Sequence, residues 1–169
     1  AVMRFCADRR FAMGANLHCG AQLLNYPWDS VAMPGEPAPS NASSPDDALF
    51  HELSAGYAKR NQTFADAGES ESVTQGWEWY QIWGGMQDWA YFWNGEHHVT
   101  IELSTDFYPP FAEMGSHFDR NRKAMLFWMG QALTGIRGVV RDAATGAPLD
   151  ATVRVLELAE PNSVRTDPE

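Results

Sequence analysis

Apolar residues recur along this chain in two rhythms, one of helices and one of strands. Leu49, Phe50, Leu53 and Tyr57 follow i, i+3/i+4 spacing and predict a helix. Its start is signalled by Ser44 as N-cap, Pro45 at the first helical position and acids in the first turn. A second amphipathic helix is predicted over roughly 113–133, with Phe118, Met125, Met129 and Leu133 on one face. Residues 1–8, with Val2, Met3, Phe5 and Cys6, read as the last turns of a helix. Residues 11–17 read as a short buried strand that ends at His18, Cys19 and Gly20. Residues 99–103 form a β-branched strand whose alternation puts Thr100 and Glu102 on one face. Between these elements, 33–45 is a Pro- and Ser-rich surface loop and 61–76 a polar, Gly-spaced one. Residues 77–93 carry eight aromatics around Gly84 and Gly85, a density that predicts burial or a cleft lining. From Gly135 the period becomes two: 135–142, a turn over 143–148, then 151–156.

Composition narrows the class. With 169 residues, 44% hydrophobic content and seven tryptophans, the chain can bury a core and is not a disordered segment. A net charge of -10, from 22 acidic and 12 basic residues, argues against nucleic acid as a partner, since phosphate binding needs a basic patch. No apolar run approaches the ~20 residues of a membrane span. Two cysteines, Cys6 and Cys19, make no disulfide framework and leave the redox compartment open. Asn41-Ala-Ser and Asn61-Gln-Thr match the glycosylation pattern, one that chance often produces. A start at Ala1 without a signal peptide, and a polar tail over 160–169, read as a fragment of a longer chain. Oligomeric state is not legible.

Three groups invite a hydrolytic reading: His18, Glu102 and Tyr80. His18 stands at a strand exit, where ligands gather in open α/β sheets. Taken alone it reads as a satisfied core or rim histidine. Eleven residues on, Asp29 lies in a Pro/Trp turn where a carboxylate can face the same cleft. A zinc hydrolase needs imidazole or carboxylate ligands, an open position for water and a carboxylate to take the proton. Glu102 sits in an apolar strand, where burial would raise its pKa towards that of a useful base. The alternative is that it faces solvent at the strand end.

Five blocks change the balance: NLHCGAQLLNYPWD, SPDDALFHELSAGYAKRN, GWEWYQIWGGMQDWAY, TIELSTDFYPP and GIRGVVRDAATGAPLDATV. Their order and wording resemble the C-terminal part of the zinc metallocarboxypeptidases, of the carboxypeptidase D/E/N-like branch, over roughly residues 1–156. The resemblance implies an α/β fold: residues 1–134 as the C-terminal part of a mixed-sheet catalytic domain, and 135–169 as the start of an all-β, transthyretin-like sandwich. It implies Zn2+ as cofactor and His18, in a motif similar to NLHGG, as its third protein ligand. Glu102, in TIELS, matches the general base acting on a zinc-activated water. Tyr80 matches the mobile tyrosine that closes over the substrate. Asp29, in NYPWD, matches the carboxylate of a pocket for a C-terminal Lys or Arg, and Gln87 a second polar residue of that pocket. The implied substrates are peptide or protein C-termini, and the implied location is secreted or extracytoplasmic.

The chain departs from the family pattern in instructive ways. The first two zinc ligands come from H-x-x-E, yet His18, His51, His97, His98 and His117 all lack Glu three residues on. The Asn-Arg pair that clamps the terminal carboxylate should also lie upstream; Asn121-Arg122 has the letters but falls in the second helix. Cys19 replaces a glycine beside the metal ligand. His97 and His98 read as surface residues. These 169 residues alone should therefore be inactive. The rival reading is a non-catalytic pseudoenzyme, or a peptide- or carbohydrate-binding module using the Trp-rich segment.

Overall fold

The structure, a computed structural model, describes residues 1–9, 11–37, 39, 42–135, 138–154 and 163–165, the last three by backbone alone. Asn41 of the first glycosylation tripeptide and most of the polar tail lie outside the described residues. Contacts divide the chain into two units, Ala1–Leu133 and Thr134–Glu169.

The first unit is α/β around a mixed four-stranded sheet. After α1 (Val2–Ala7) come β1 (Met13–His18), β2 (Ala21–Tyr26) and α2 (Asp47–Ala58). Two short helices, α3 (Gln62–Ala67) and α4 (Glu69–Ser72), lead into β3 (Val73–Gln75) and α5 (Gly76–Trp79). Then follow α6 (Met86–Asn94), β4 (His97–Ser104), a 3-10 turn (Phe111–Glu113) and α7 (Met114–Gln131). The sheet order is β1-β4-β2-β3. β1 runs parallel to β4, β2 antiparallel to β4, and β3 parallel to β2.

Alternation in β4 gives the sheet two unlike faces. Val99 and Ile101 join Leu24 and Tyr26 of β2 in a buried cluster with Phe50, Leu53 and Tyr57 of α2 and Ala124 and Trp128 of α7. Burying such side chains stabilises by roughly 1.5–3 kcal/mol each, more than local propensity contributes, so packing holds α2 in place. Thr100 and Glu102 point the other way, in register with Asn16 and His18 of β1. β1 is less buried than its sequence suggests. Among the described residues it pairs only with β4, and Leu17 at its end is 56% exposed.

Several local expectations shift. α2 starts at Asp47 with Asp46 as N-cap, not at Ser44. Asp46 is held by Tyr91, whose hydroxyl donates to Asp46 Oδ2 at 2.8 Å, and this fixes the entry to the helix. The expected loop over 61–76 contains α3, α4 and β3 instead. Asn61 begins it as an N-cap, its side chain accepting from the N–H of Thr63 and Phe64. Because Asn61 is buried, its glycosylation tripeptide is not a surface acceptor.

The face of α7 differs most. Phe118, Met129 and Leu133 are exposed and Met125 only half-buried. The buried stripe is Asn121, Ala124 and Trp128. Asn121 Oδ1 accepts from Tyr57 Oη at 3.2 Å and Asn61 Nδ2 at 2.6 Å, so a polar knot joining α2, α3 and α7 selects that face. Asn121 is thus structural.

In the second unit, Asp142 organises a turn: its Oδ1 accepts from the N–H of Ala144 and Thr145 and from the Thr145 hydroxyl. These bonds hold its carboxyl below the usual carboxylate range. An antiparallel bridge, Arg141 with Pro148, flanks the turn. Thr152–Arg154 (β5) pairs antiparallel with Ser163–Arg165 (β6).

Candidate active site

The polar face of the sheet opens into a cavity of about 280 Å³ that His18, Glu102, Tyr80, Asp29 and Gln87 all line. Strand register brings the first two together: His18 ends β1 directly beside Glu102 of β4 in a parallel pair, so both side chains leave the same face. His18 is exposed at the rim while Glu102 is buried. Burial raises the Glu102 carboxyl above its usual range, and the neighbouring His18 opposes that rise. Glu102 Oε2 has no hydrogen-bond partner among the described residues. A buried carboxylate oxygen left open beside an imidazole is suited to receive a proton.

Asp29 is built in by the turn that follows β2. The chain passes through Pro27, and the Asp29 carboxylate comes to rest buried against α6. Gln87 Nε2, in the first turn of α6, donates to Asp29 Oδ1 at 2.8 Å and to Asn25 Oδ1 at 3.2 Å. Gly76 makes the approach possible, because a Cβ there would sit 1.9 Å from Asp29 Oδ1. Burial first, and the charge of Asp88 second, push the Asp29 carboxyl up to about 7. Among the described residues no Lys, Arg or His pairs with Asp29 or Asp88. The pocket therefore presents the partly desolvated Asp29 carboxyl, with Asp88 behind it and no cation paired to either.

Tyr80 belongs to the 80–85 loop, which is tied down on either side of it. Trp77 N–H donates to Trp28 O at 2.8 Å, and Ile82 N–H to Asp29 O at 3.1 Å. Gln81 Oε1 accepts from Val31 and Ala32 N–H, and Trp83 Nε1–H donates to Ala32 O at 2.8 Å. The Tyr80 ring stays half in solvent, edge-on to Trp79 at 4.7 Å. Of the two expectations for the aromatic run, burial holds for one ring alone: Trp79, Trp83, Phe92 and Trp93 are exposed, and only Tyr91 among the eight is buried. α5 and α6 interrupt it, so successive rings fall on different faces.

Zinc can be weighed against these donors. His18 supplies an imidazole, and the open Glu102 oxygen lies beside it. Among the described residues no group of three or more His, Cys, Asp or Glu is placed to hold a metal ion. Catalytic zinc takes three protein ligands and keeps one position open. His18 thus fits as one ligand of a larger set and does not make a site by itself. Cys19, next to it, is unpaired; its Sγ donates to Phe107 O at 3.5 Å, and Cys6 is buried and free.

Two histidines read as surface residues lie inside. His98 is 2% exposed, with Nδ1 at 2.9 Å from Oε1 of the equally buried Glu96. His97 is half-buried against Phe50 and Tyr91. The sequence reading also missed Asn16, Asn25 and Thr100, which line the cavity, and Asp88 behind Asp29. Their signal was period-two alternation: Asn25 pairs with Thr100 across β2 and β4 on the Glu102 face. Asp88 simply follows Gln87. Among the described residues no helix is long and apolar enough to cross a membrane.

Comparison with known proteins fits this geometry. A family profile described as zinc carboxypeptidase matches residues 1–124. Human carboxypeptidase D is 34% identical over 172 residues, covering 95% of this chain and 12% of that protein. Carboxypeptidase SOL1 of Arabidopsis thaliana is 35% identical, covering 92% of this chain and 31% of its own length. Mouse carboxypeptidase M is 31% identical, with 88% and 35% covered. The chain thus spans between an eighth and about a third of these relatives.

Proposed function

The chain belongs to the zinc carboxypeptidase family, and from that premise we propose that it carries the general base, one zinc ligand and the specificity pocket of a metallocarboxypeptidase. The enzyme hydrolyses the C-terminal peptide bond of peptides or proteins and prefers Lys or Arg termini. One observation carries the reading: a single cavity is lined both by His18 with Glu102 and by Asp29 with Gln87 and Tyr80.

Each residue has a task that its surroundings support. His18 provides an imidazole to the metal. Zinc, when bound, supplies Lewis-acid polarisation of the scissile carbonyl. Glu102 takes a proton from the attacking water through its unpartnered oxygen. It returns that proton to the amine nitrogen as the C–N bond breaks, while the water oxygen stays on the new carboxylate. The Tyr80 hydroxyl, on its exposed loop, donates to the scissile peptide or the terminal carboxylate. Asp29 holds the guanidinium or ammonium of the terminal side chain by a charge-assisted hydrogen bond, with Ile82 and Met86 beside the aliphatic stem. That cation offsets the burial that otherwise keeps Asp29 protonated.

His18 is one ligand where three are needed, so these 169 residues act as part of a longer protein and are inactive alone. On this reading 1–134 is the C-terminal part of the catalytic domain. Residues 135–169 open a transthyretin-like β domain, which the antiparallel pairing of β5 and β6 supports. The extracytoplasmic location rests on family resemblance. In the full-length protein, Glu102→Gln should reduce turnover by at least about 10²-fold while zinc content and Arg-peptide affinity persist. Unaltered turnover would sink the base assignment. Asp29→Ala should abolish the preference for Lys/Arg over apolar termini, and a surviving preference would sink the pocket. A second reading, a non-catalytic peptide-binding module, draws on the exposed rings of Trp79, Tyr80 and Trp83. It predicts peptide affinity without zinc and without turnover in the full-length protein.

A further inference from the structure

The reading of Asp29 as the specificity carboxylate leaves open what holds it. Two consecutive residues in the first turn of α6 grip it from different sides. Gln87 takes the carboxylate, with Nε2 on Oδ1 at 2.8 Å. Asp88 takes the backbone: its Oδ1 accepts Asp29 N–H at 2.8 Å, and its Oδ2 accepts Ser30 N–H at 3.2 Å and the Ser30 hydroxyl at 3.3 Å. Asp88 itself does not line the cavity. It does not meet a substrate side chain in this arrangement, and any effect on binding reaches the pocket through Asp29.

We propose that Asp88 is a positioning residue for specificity, pinning the Asp29–Ser30 backbone to α6 so that the Asp29 carboxylate meets the basic terminal side chain. The proposal rests on the pocket reading above. Three acceptor contacts from one carboxylate fix both peptide N–H groups of the turn, and bonds to a charged acceptor are the stronger kind. A carboxylate is needed because two N–H donors face it; an asparagine has one acceptor oxygen and would turn an NH2 group towards a second donor. The placement also suits α6, whose first turn favours negative charge. Asp88 has a second consequence for Asp29, since its charge lies beside a buried acid and discourages ionisation. The other titratable groups lining the cavity are His18, Tyr80 and Glu102.

The test is calorimetric binding, from pH 6 to 8, of an acetylated peptide ending in arginine and of the same peptide ending in alanine. The full-length protein carrying Glu102→Gln, which should bind the peptide without cleaving it, is the parent, and it is compared with the same protein carrying Asp29→Asn, Asp88→Asn or Ser30→Ala in addition. At pH 8, Asp88→Asn should weaken the arginine peptide about tenfold, the scale of one lost hydrogen bond to a charged group, and leave the alanine peptide within about twofold. The pH midpoint at which the arginine preference appears should move lower in Asp88→Asn, a shift that a merely structural role would not produce. If Asp88→Asn fails to fold, Ser30→Ala carries the same test, with about two- to threefold weaker arginine binding and an unmoved alanine peptide. No arginine preference in the Glu102→Gln parent, or a full preference once Asp29→Asn is added, overturns the pocket reading and this inference with it. A preference lost in Asp29→Asn but unchanged in size and pH midpoint in Asp88→Asn overturns the role of Asp88 alone.

Discussion

Replacing Asp29 with asparagine should make the protein more stable at neutral pH. The native carboxyl ionises only near pH 7, against 3.8 for a free one. Between those values the folded state holds a proton that the unfolded state has released. Unfolding then releases that proton, and rising pH favours the unfolded chain. The penalty is absent below about pH 3.8, grows through the interval and is complete near pH 7. Roughly three units at ~1.36 kcal/mol each amount to about 4 kcal/mol. Asparagine keeps the oxygen that accepts from Gln87 Nε2 and removes the charge, so most of that penalty should vanish. Urea unfolding from pH 4 to 8 measures it. The variant should gain about 3–4 kcal/mol at pH 7.5 and lie within about 1 kcal/mol of the parent at pH 4. The difference between the two proteins isolates Asp29, because Asp88 is raised by burial too and titrates with the same sign. A variant less stable than the parent at pH 7.5, or a difference that does not change with pH, refutes the argument. The gain would come with loss of basic-terminus binding, since stability is given up at a site that needs a desolvated charge.

Two further substitutions probe the scaffold. Gly14→Ala would set a Cβ 2.0 Å from Glu96 Oε1 and 2.5 Å from His98 Nδ1, and disrupting that buried pair should cost about 3 kcal/mol. Gly115→Ala, in the first turn of α7 with open space around it, should instead gain about 0.5–1 kcal/mol; equal effects in urea melts would refute the close approach. Asn121→Ala strands the Tyr57 hydroxyl and Asn61 Nδ2 in the core and should cost about 2–4 kcal/mol. A loss below about 1 kcal/mol would mean the knot does not select the face of α7.

Local pattern in the sequence determined much of this molecule. Alternation over 99–103 marked β4 and separated Glu102 from Val99 and Ile101; spacing over 49–57 marked α2. Both are decided by nearest neighbours along the chain, so they can be read without the partner elements. The residues lining the cavity were legible as chemical types in ordered blocks, which is how His18, Asp29, Tyr80, Gln87 and Glu102 were found. Tertiary structure decided the rest. Helical spacing offers α7 more than one apolar stripe, and the Tyr57–Asn61–Asn121 knot chose the one that carries Asn121, Ala124 and Trp128. The aromatic run over 77–93 left burial and a cleft lining open, and two helix starts turned its rings apart, burying Tyr91 and leaving Trp79, Tyr80 and Trp83 exposed. His98 looked exposed until Glu96 met it beneath Gly14. The charge state of Asp29 depends on how much water α6 and β2 exclude, and on Asp88, 59 residues along the chain, touching its backbone. Burial and long-range contact set those properties, and neither is a property of any single window of residues.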